Sequence, residues 1–172
     1  MKKIEAAKRM GKPVDGHAPG LTGEYLRRYV EAGITTDHEC STLDEAREKI
    51  GLGMKVLIRE GSAARNLDSL KELFNLSPGM IMLCSDDLHP EMLVKRHINR
   101  LAAQLITEGF DLFDVIRSAT VNPVDHYKLD AGLLRKGDTA DFILVRDLKT
   151  MDIEETWIEG VKLFSNGTTN FR

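Results

Sequence analysis

Short apolar runs alternate along this chain with segments of helical period. Met54-Lys55-Val56-Leu57-Ile58 and Met80-Ile81-Met82-Leu83-Cys84 are long enough for buried strands and too short for helices. Ile34-Thr35-Thr36 is short and largely β-branched, a third strand candidate. Lys12 to His17 reads as a brief first strand that ends in the loop Ala18-Pro19-Gly20. Helices are predicted between these runs. The first covers residues 2–10. The second covers 23–31, with Thr22 as N-cap and Tyr25, Leu26, Tyr29 and Val30 at helical spacing. Thr42 and Glu45 match a capping box for a helix to about Ile50. Leu67, Leu70, Leu73 and Phe74 mark another helix. The longest runs from Pro90 to about Glu108, with Leu93, Ile98, Leu101, Leu105 and Ile106 on its apolar face. Asp111 caps one more, through Leu112, Val115 and Ile116.

The tail changes character. Asp141 to Val145 and Glu155 to Phe164 read as strands, the second folded near Glu159-Gly160, and residues 165–172 read as frayed. Four strand–helix units followed by a β appendage predict an α/β fold with a parallel sheet and right-handed crossovers. Four units are too few to close a (β/α)₈ barrel of ~250 residues. The expected architecture is a partial TIM-type barrel over residues 1–120 with a piece of a small β domain over 121–172.

Composition narrows the class. The 172 residues are 42% hydrophobic and 30% charged, as in an ordinary globular domain. No apolar run reaches the ~18 residues of a spanning helix, and no apolar core follows the charges of the first nine residues, so neither a membrane span nor a signal peptide is expected. Net charge is −3 and no basic, aromatic-rich stripe is present, which argues against a nucleic-acid partner. Cys40 and Cys84 lie far apart and fit reduced thiols in a cytoplasmic protein.

The chemistry gathers at the ends of the strand candidates, which carry His17, His38, Glu60 and Asp86. In a parallel array these ends share one rim, where α/β enzymes keep their active sites. Two imidazoles with a carboxylate form a ligand set for a divalent metal. The plainer reading of Asp86 or Asp87 is a helix cap, and of a single histidine a hydrogen-bonded loop residue. Glu60, Ser62 and Asp87 are expected to face the pocket, with a cap or supporting role equally open. His89-Pro90-Glu91 matches H-x-E, but no P-C-x-x-C follows. No phosphate-binding glycine loop and no Gly-x-Ser-x-Gly is present. Cys84 reads as packing inside its strand.

Taken in order, Asp15-Gly16-His17-Ala18-Pro19-Gly20, Asp37-His38-Glu39-Cys40, Ile58 to Ala64 and Cys84 to Pro90 resemble successive blocks of the bacterial adenine deaminases of the amidohydrolase superfamily. Ala119 to Pro123 and Gly137 to Phe142 resemble that superfamily's exit from the barrel into its small β domain. The resemblance implies hydrolysis of a purine base, adenine, to hypoxanthine and ammonia at a metal centre of iron, manganese or zinc. It implies that His17 and His38 are the metal-binding histidines of the fifth and sixth strands. It implies that Asp86 is the eighth-strand aspartate that ligates metal and carries protons, with Glu39 the next candidate base. The family's first-strand His-x-His pair and its bridging carboxylate have no match here. The expectation is therefore an internal piece of such an enzyme, binding one ion weakly or none. Two other readings stay open: another amidohydrolase acting on a cyclic amide, and a non-catalytic piece that only associates. Half a barrel also leaves apolar side chains of residues 54–58 and 80–84 uncovered, which predicts a homo-oligomer, most simply a two-fold dimer.

Overall fold

A computed structural model describes residues 2–170. The chain begins with α1 (Lys2–Arg9) and α2 (Gly23–Glu31), then β1 (Thr36–Asp37), α3 (Leu43–Gly51) and β2 (Lys55–Arg59). Next come α4 (Leu67–Leu70), α5 (Leu73–Leu76), a 3₁₀ turn over Pro78–Met80 and β3 (Ile81–Cys84). The helices α6 (Pro90–Leu93), α7 (Ile98–Thr107), α8 (Leu112–Ala119) and α9 (Val121–Tyr127) follow. The tail holds β4 (Phe142–Val145), β5 (Ile153–Ile158), β6 (Val161–Ser165) and β7 (Thr168–Thr169).

β1, β2 and β3 pair in that order, all parallel, with Asp37 opposite Val56 and Arg59 opposite Cys84. Helical crossovers between parallel strands place the three strand ends on one side of the sheet. Val56, Ile58, Ile81 and Leu83 are buried with Leu67, Leu70, Leu73, Leu101, Leu105 and Val115 in one core. Leu26, Ile34 and Met54 form a second. The segment expected as the first strand is not one. Pro13 has no N–H to give a ladder, and the stretch bonds to its neighbour mainly through side chains. Val14 O accepts from Thr35 N–H and Oγ1, and Asp15 Oδ1 accepts from Thr36 Oγ1 at 2.7 Å.

Other elements depart from the pattern for visible reasons. The helix expected from Pro90 to Glu108 breaks after Leu93: Ile98 lies five positions on, off the helical repeat, and Val94 is left 89% exposed. Arg96 in the gap turns toward Glu60 and Gly61. The helix of Leu67 to Phe74 is two short helices. Thr22 occupies the N-cap position of α2, but its side chain makes no capping bond. α9 was not foreseen. Its Pro123 sits in the first turn, where a missing N–H is tolerated, and Asn122 Nδ2 donates to Pro78 O and Ile81 O.

The side chains expected to lie bare on the parallel strands are largely covered. Met54, Val56, Ile58, Ile81, Met82 and Leu83 are all buried. α7, α8 and α9 all pack on β3.

The tail forms an antiparallel sheet in the order β4-β5-β6-β7. Ile158 pairs with Val161 across a two-residue turn in which Glu159 and Gly160 both have positive φ, the geometry that matches strand twist. Residues 165–170, expected to fray, instead turn back so that β7 pairs with β6. Arg100 joins the two parts of the molecule, donating to Thr150 O and pairing with Asp152 at 2.6 Å.

Candidate active site

The polar ends of β1, β2 and β3 meet the loop that carries His17. His17 Nδ1 lies 3.4 Å from His38 Nε2, and Glu39 Oε1 lies 3.4 Å from each of those nitrogens. Asp86 Oδ1 is 4.0 Å from His38 Nε2. Asp86 itself has φ +46°, a conformation that aspartate tolerates better than most residues. Arg59, the last residue of β2, reaches across the group. Its Nη1 contacts Glu39 Oε1 at 2.6 Å and Asp86 Oδ2 at 2.9 Å, and its Nη2 donates to Glu39 Oε2 at 2.8 Å.

A buried cluster beneath this group holds it in place. Lys49 from α3 is fully buried, and its Nζ donates to Asp37 Oδ2 (2.8 Å), Glu45 Oε1 (2.7 Å) and Ala18 O (2.7 Å). Asp37 Oδ1 accepts from Ala18 N–H at 2.8 Å. The residues next in sequence to His17 and His38 are therefore tied to one ammonium and to each other. Burial alone would lower the Lys49 pKa, but the bonds to Asp37 and Glu45 outweigh it and the net direction is up. For Asp37 and Glu45 burial pushes upward, and the Lys49 and backbone donors bring both below the ordinary values. Burial pushes the Cys40 thiol to about 12. Asp37, Cys40 and Glu45 are grouped closely enough to suggest a second ion site, but the Lys49 ammonium already bonds both carboxylates.

Asn66 fixes the strand ends. Its Oδ1 accepts from Arg59 N–H, and its Nδ2 donates to His38 O and Cys40 O. A cleft of about 320 Å³ opens beside Glu39 and Arg59, bordered by Pro19, Ser41, Ala64 and Arg65.

The structure brings His17, His38, Glu39 and Asp86 together. Glu60, Ser62 and Asp87 are committed elsewhere. Glu60 Oε1 accepts from Leu67 N–H at the start of α4, Ser62 Oγ accepts from His89 N–H, and the Asp87 carboxylate accepts from the N–H groups of Ser62 and Ala63. A Cβ on Gly61 would collide with Asp87 Oδ1, so this clamp requires glycine. Sequence reasoning missed Arg59, Lys49 and Asn66. Arg59 had a signal, since it directly precedes Glu60 at a strand end. Lys49 had only the i,i+4 spacing from Glu45, which reads equally well as a solvent-facing pair.

A divalent ion fits the donor set. Bonds of ~2.0–2.2 Å from N and O donors in a tetrahedral shell put neighbouring donors ~3.3–3.6 Å apart. The 3.4 Å between His17 Nδ1 and His38 Nε2 matches that spacing, as does the 3.4 Å from each to Glu39 Oε1, while Asp86 Oδ1, 4.0 Å from His38 Nε2, stands just outside it.

The family model described as "Amidohydrolase family" matches residues 59–163, and members of that superfamily generally use divalent metals. The chain is 52% identical over 168 residues to an adenine deaminase of Salinibacter ruber, covering 98% of this chain and 31% of that protein. It is 51% identical over 172 residues to an adenine deaminase of Methanosarcina mazei, covering 99% and 31%. The chain thus spans about a third of the length of these relatives. Among solved structures, a β-aspartyl dipeptidase of Fervidobacterium islandicum superposes with a TM-score of 0.74 at 20% identity, over 99% of this chain and 51% of that one, a likeness of fold alone.

Proposed function

The chain belongs to the amidohydrolase family, and from that premise we propose that it carries part of the active site of an adenine deaminase, which hydrolyses adenine to hypoxanthine and ammonia. The observation that carries this is the convergence of His17, His38 and Asp86 on one rim, in a chain about half identical to adenine deaminases over nearly its whole length. In this reading β1, β2, β3 and the extended segment 13–17 are the fifth to eighth units of a (β/α)₈ barrel. They occupy residues 1–120, and 121–172 lead into the small β domain.

His17 and His38 would hold a divalent ion, and Asp86 would add a carboxylate oxygen. Imidazole donors favour iron, manganese or zinc over magnesium. When bound, the ion supplies acidified water at neutral pH. The Asp86 carboxylate takes the proton of the attacking water and passes it to the departing amine. Glu39 flanks the same imidazoles as the alternative base. Glu60, Ser62 and Asp87 act on the pocket indirectly, by fixing the loop from Gly61 to Asn66. Self-association, through apolar side chains left exposed on the antiparallel sheet, is part of the same proposal.

The test is a chimera. This chain replaces the matching segment of the Salinibacter ruber enzyme, and ammonia release from adenine is measured. Retained turnover that His38→Ala abolishes is the expected result. A folded, metal-loaded chimera that releases no ammonia from adenine overturns the reading.

A further inference from the structure

Glu39 Oε1 has two claims on it. It is the third corner of the 3.4 Å triangle with His17 Nδ1 and His38 Nε2, and it accepts from Arg59 Nη1 at 2.6 Å. Arg59 Nη2 takes the other oxygen of the same carboxylate. A guanidinium keeps its charge at any accessible pH, and its planar fork matches a carboxylate in this two-pronged contact. Arg59 is not free to swing away. Its side chain is only 12% exposed, its backbone N–H is bonded to Asn66 Oδ1, and its residue is locked in register opposite Cys84. The same Nη1 holds Asp86 Oδ2, while Asp86 Oδ1 is turned to His38.

We infer that Arg59 sorts the two acids of the site: it retains Glu39 as its own counter-ion and leaves Asp86 Oδ1 as the carboxylate donor that completes the His17–His38 set. This rests on reading those histidines as a metal-binding pair. Arg59 is a positioning residue. It keeps Glu39 out of the ion's shell by occupying both of its oxygens, and it orients Asp86 by gripping one oxygen only. A cation added at the triangle would face a fixed positive charge on the oxygen it needs. Without Arg59, Glu39 becomes a third strong donor at a spacing already suited to an ion.

The test is zinc affinity of the 172-residue chain by calorimetry, with folding checked by circular dichroism. Arg59→Met should bind zinc at least tenfold more tightly than the unaltered chain. Adding Glu39→Gln to that variant should remove the gain, and Glu39→Gln alone should bind no more tightly than the unaltered chain. Arg59→Lys keeps one cation but loses the fork, so it should show a smaller gain of the same sign; it decides the matter if Arg59→Met does not fold. Unchanged or weaker binding in the Arg59 variants overturns the inference, as does a gain that survives Glu39→Gln. Zinc binding that is indifferent to His17→Ala in every variant overturns the metal-site reading and this inference together. A chimera that binds zinc as expected but ignores adenine removes only the substrate assignment.

Discussion

Lys49 is the residue on which the geometry of the two histidines most depends. A buried ammonium without partners is costly, and here it has three oxygens within 2.8 Å. Lys49→Met should destabilise the fold by ~3–5 kcal/mol, because Asp37 and Glu45 are left buried and unpaired; urea unfolding measures it. The pH dependence follows from the same cluster. Asp37 and Glu45 are held below their ordinary values. Their contribution is complete above the unfolded carboxylate range and is lost as pH falls through the folded values. Lys49 is raised, so its contribution is present below its unfolded value and is lost only in strong alkali. The urea midpoint should therefore fall on acidification below about pH 4, the ordinary carboxylate range, and this fall should shrink in Lys49→Met. Asp86→Asn, placed in the chimera, removes the proton carrier while keeping the side chain's size. Turnover should drop by ~10²–10⁴ with little change in adenine affinity. Near-normal turnover would move the base to Glu39.

At the scale of elements, capping separates two positions that look alike as text. Asp111 accepts from the N–H groups of Phe113 and Asp114 at the start of α8. Thr22 precedes α2 without making such a bond. Asp111→Ala should cost ~1 kcal/mol, and Thr22→Ala should stay within ~0.5 kcal/mol, both read from unfolding midpoints. Thr42 lies between them. Its Oγ1 accepts from Glu45 N–H, but the Glu45 carboxylate turns to Ser41 N–H, Gly20 N–H and Lys49 rather than back to the cap. The capping box is thus half formed, its second half given up to the buried cluster.

On the scale of the whole molecule, the antiparallel sheet carries several exposed apolar side chains. Ile143, Leu144, Leu148, Ile158 and Val161 are exposed on and around the antiparallel sheet, while the parallel strands are covered. Exposed apolar side chains on a sheet are candidates for contact surfaces. Light scattering over a dilution series should show self-association at micromolar concentration, weakened by Val161→Lys. A clean monomer throughout would remove the oligomer from the proposal.

Local pattern was enough for the parallel strands 55–59 and 81–84, the α3 and α8 caps, the hairpin at Glu159-Gly160 and the meeting of His38 and Asp86 beside neighbouring strand ends. These depend on period, turn chemistry and the rule that parallel strands share an end. Tertiary structure alone decided the rest. Whether residues 13–17 form a ladder depended on what lay opposite Asp15 and Pro13. Pro90 to Glu108 did not stay one helix, and Arg96 in the gap faces Glu60. The roles of Glu60, Ser62 and Asp87 were open in the sequence because a carboxylate at a strand end looks the same whether it faces a ligand or a loop N–H. Lys49 and Arg59 were hidden for the same reason: a charge reveals its function only through its partners, and Asp37 lies 12 residues from Lys49 and Asp86 27 residues from Arg59.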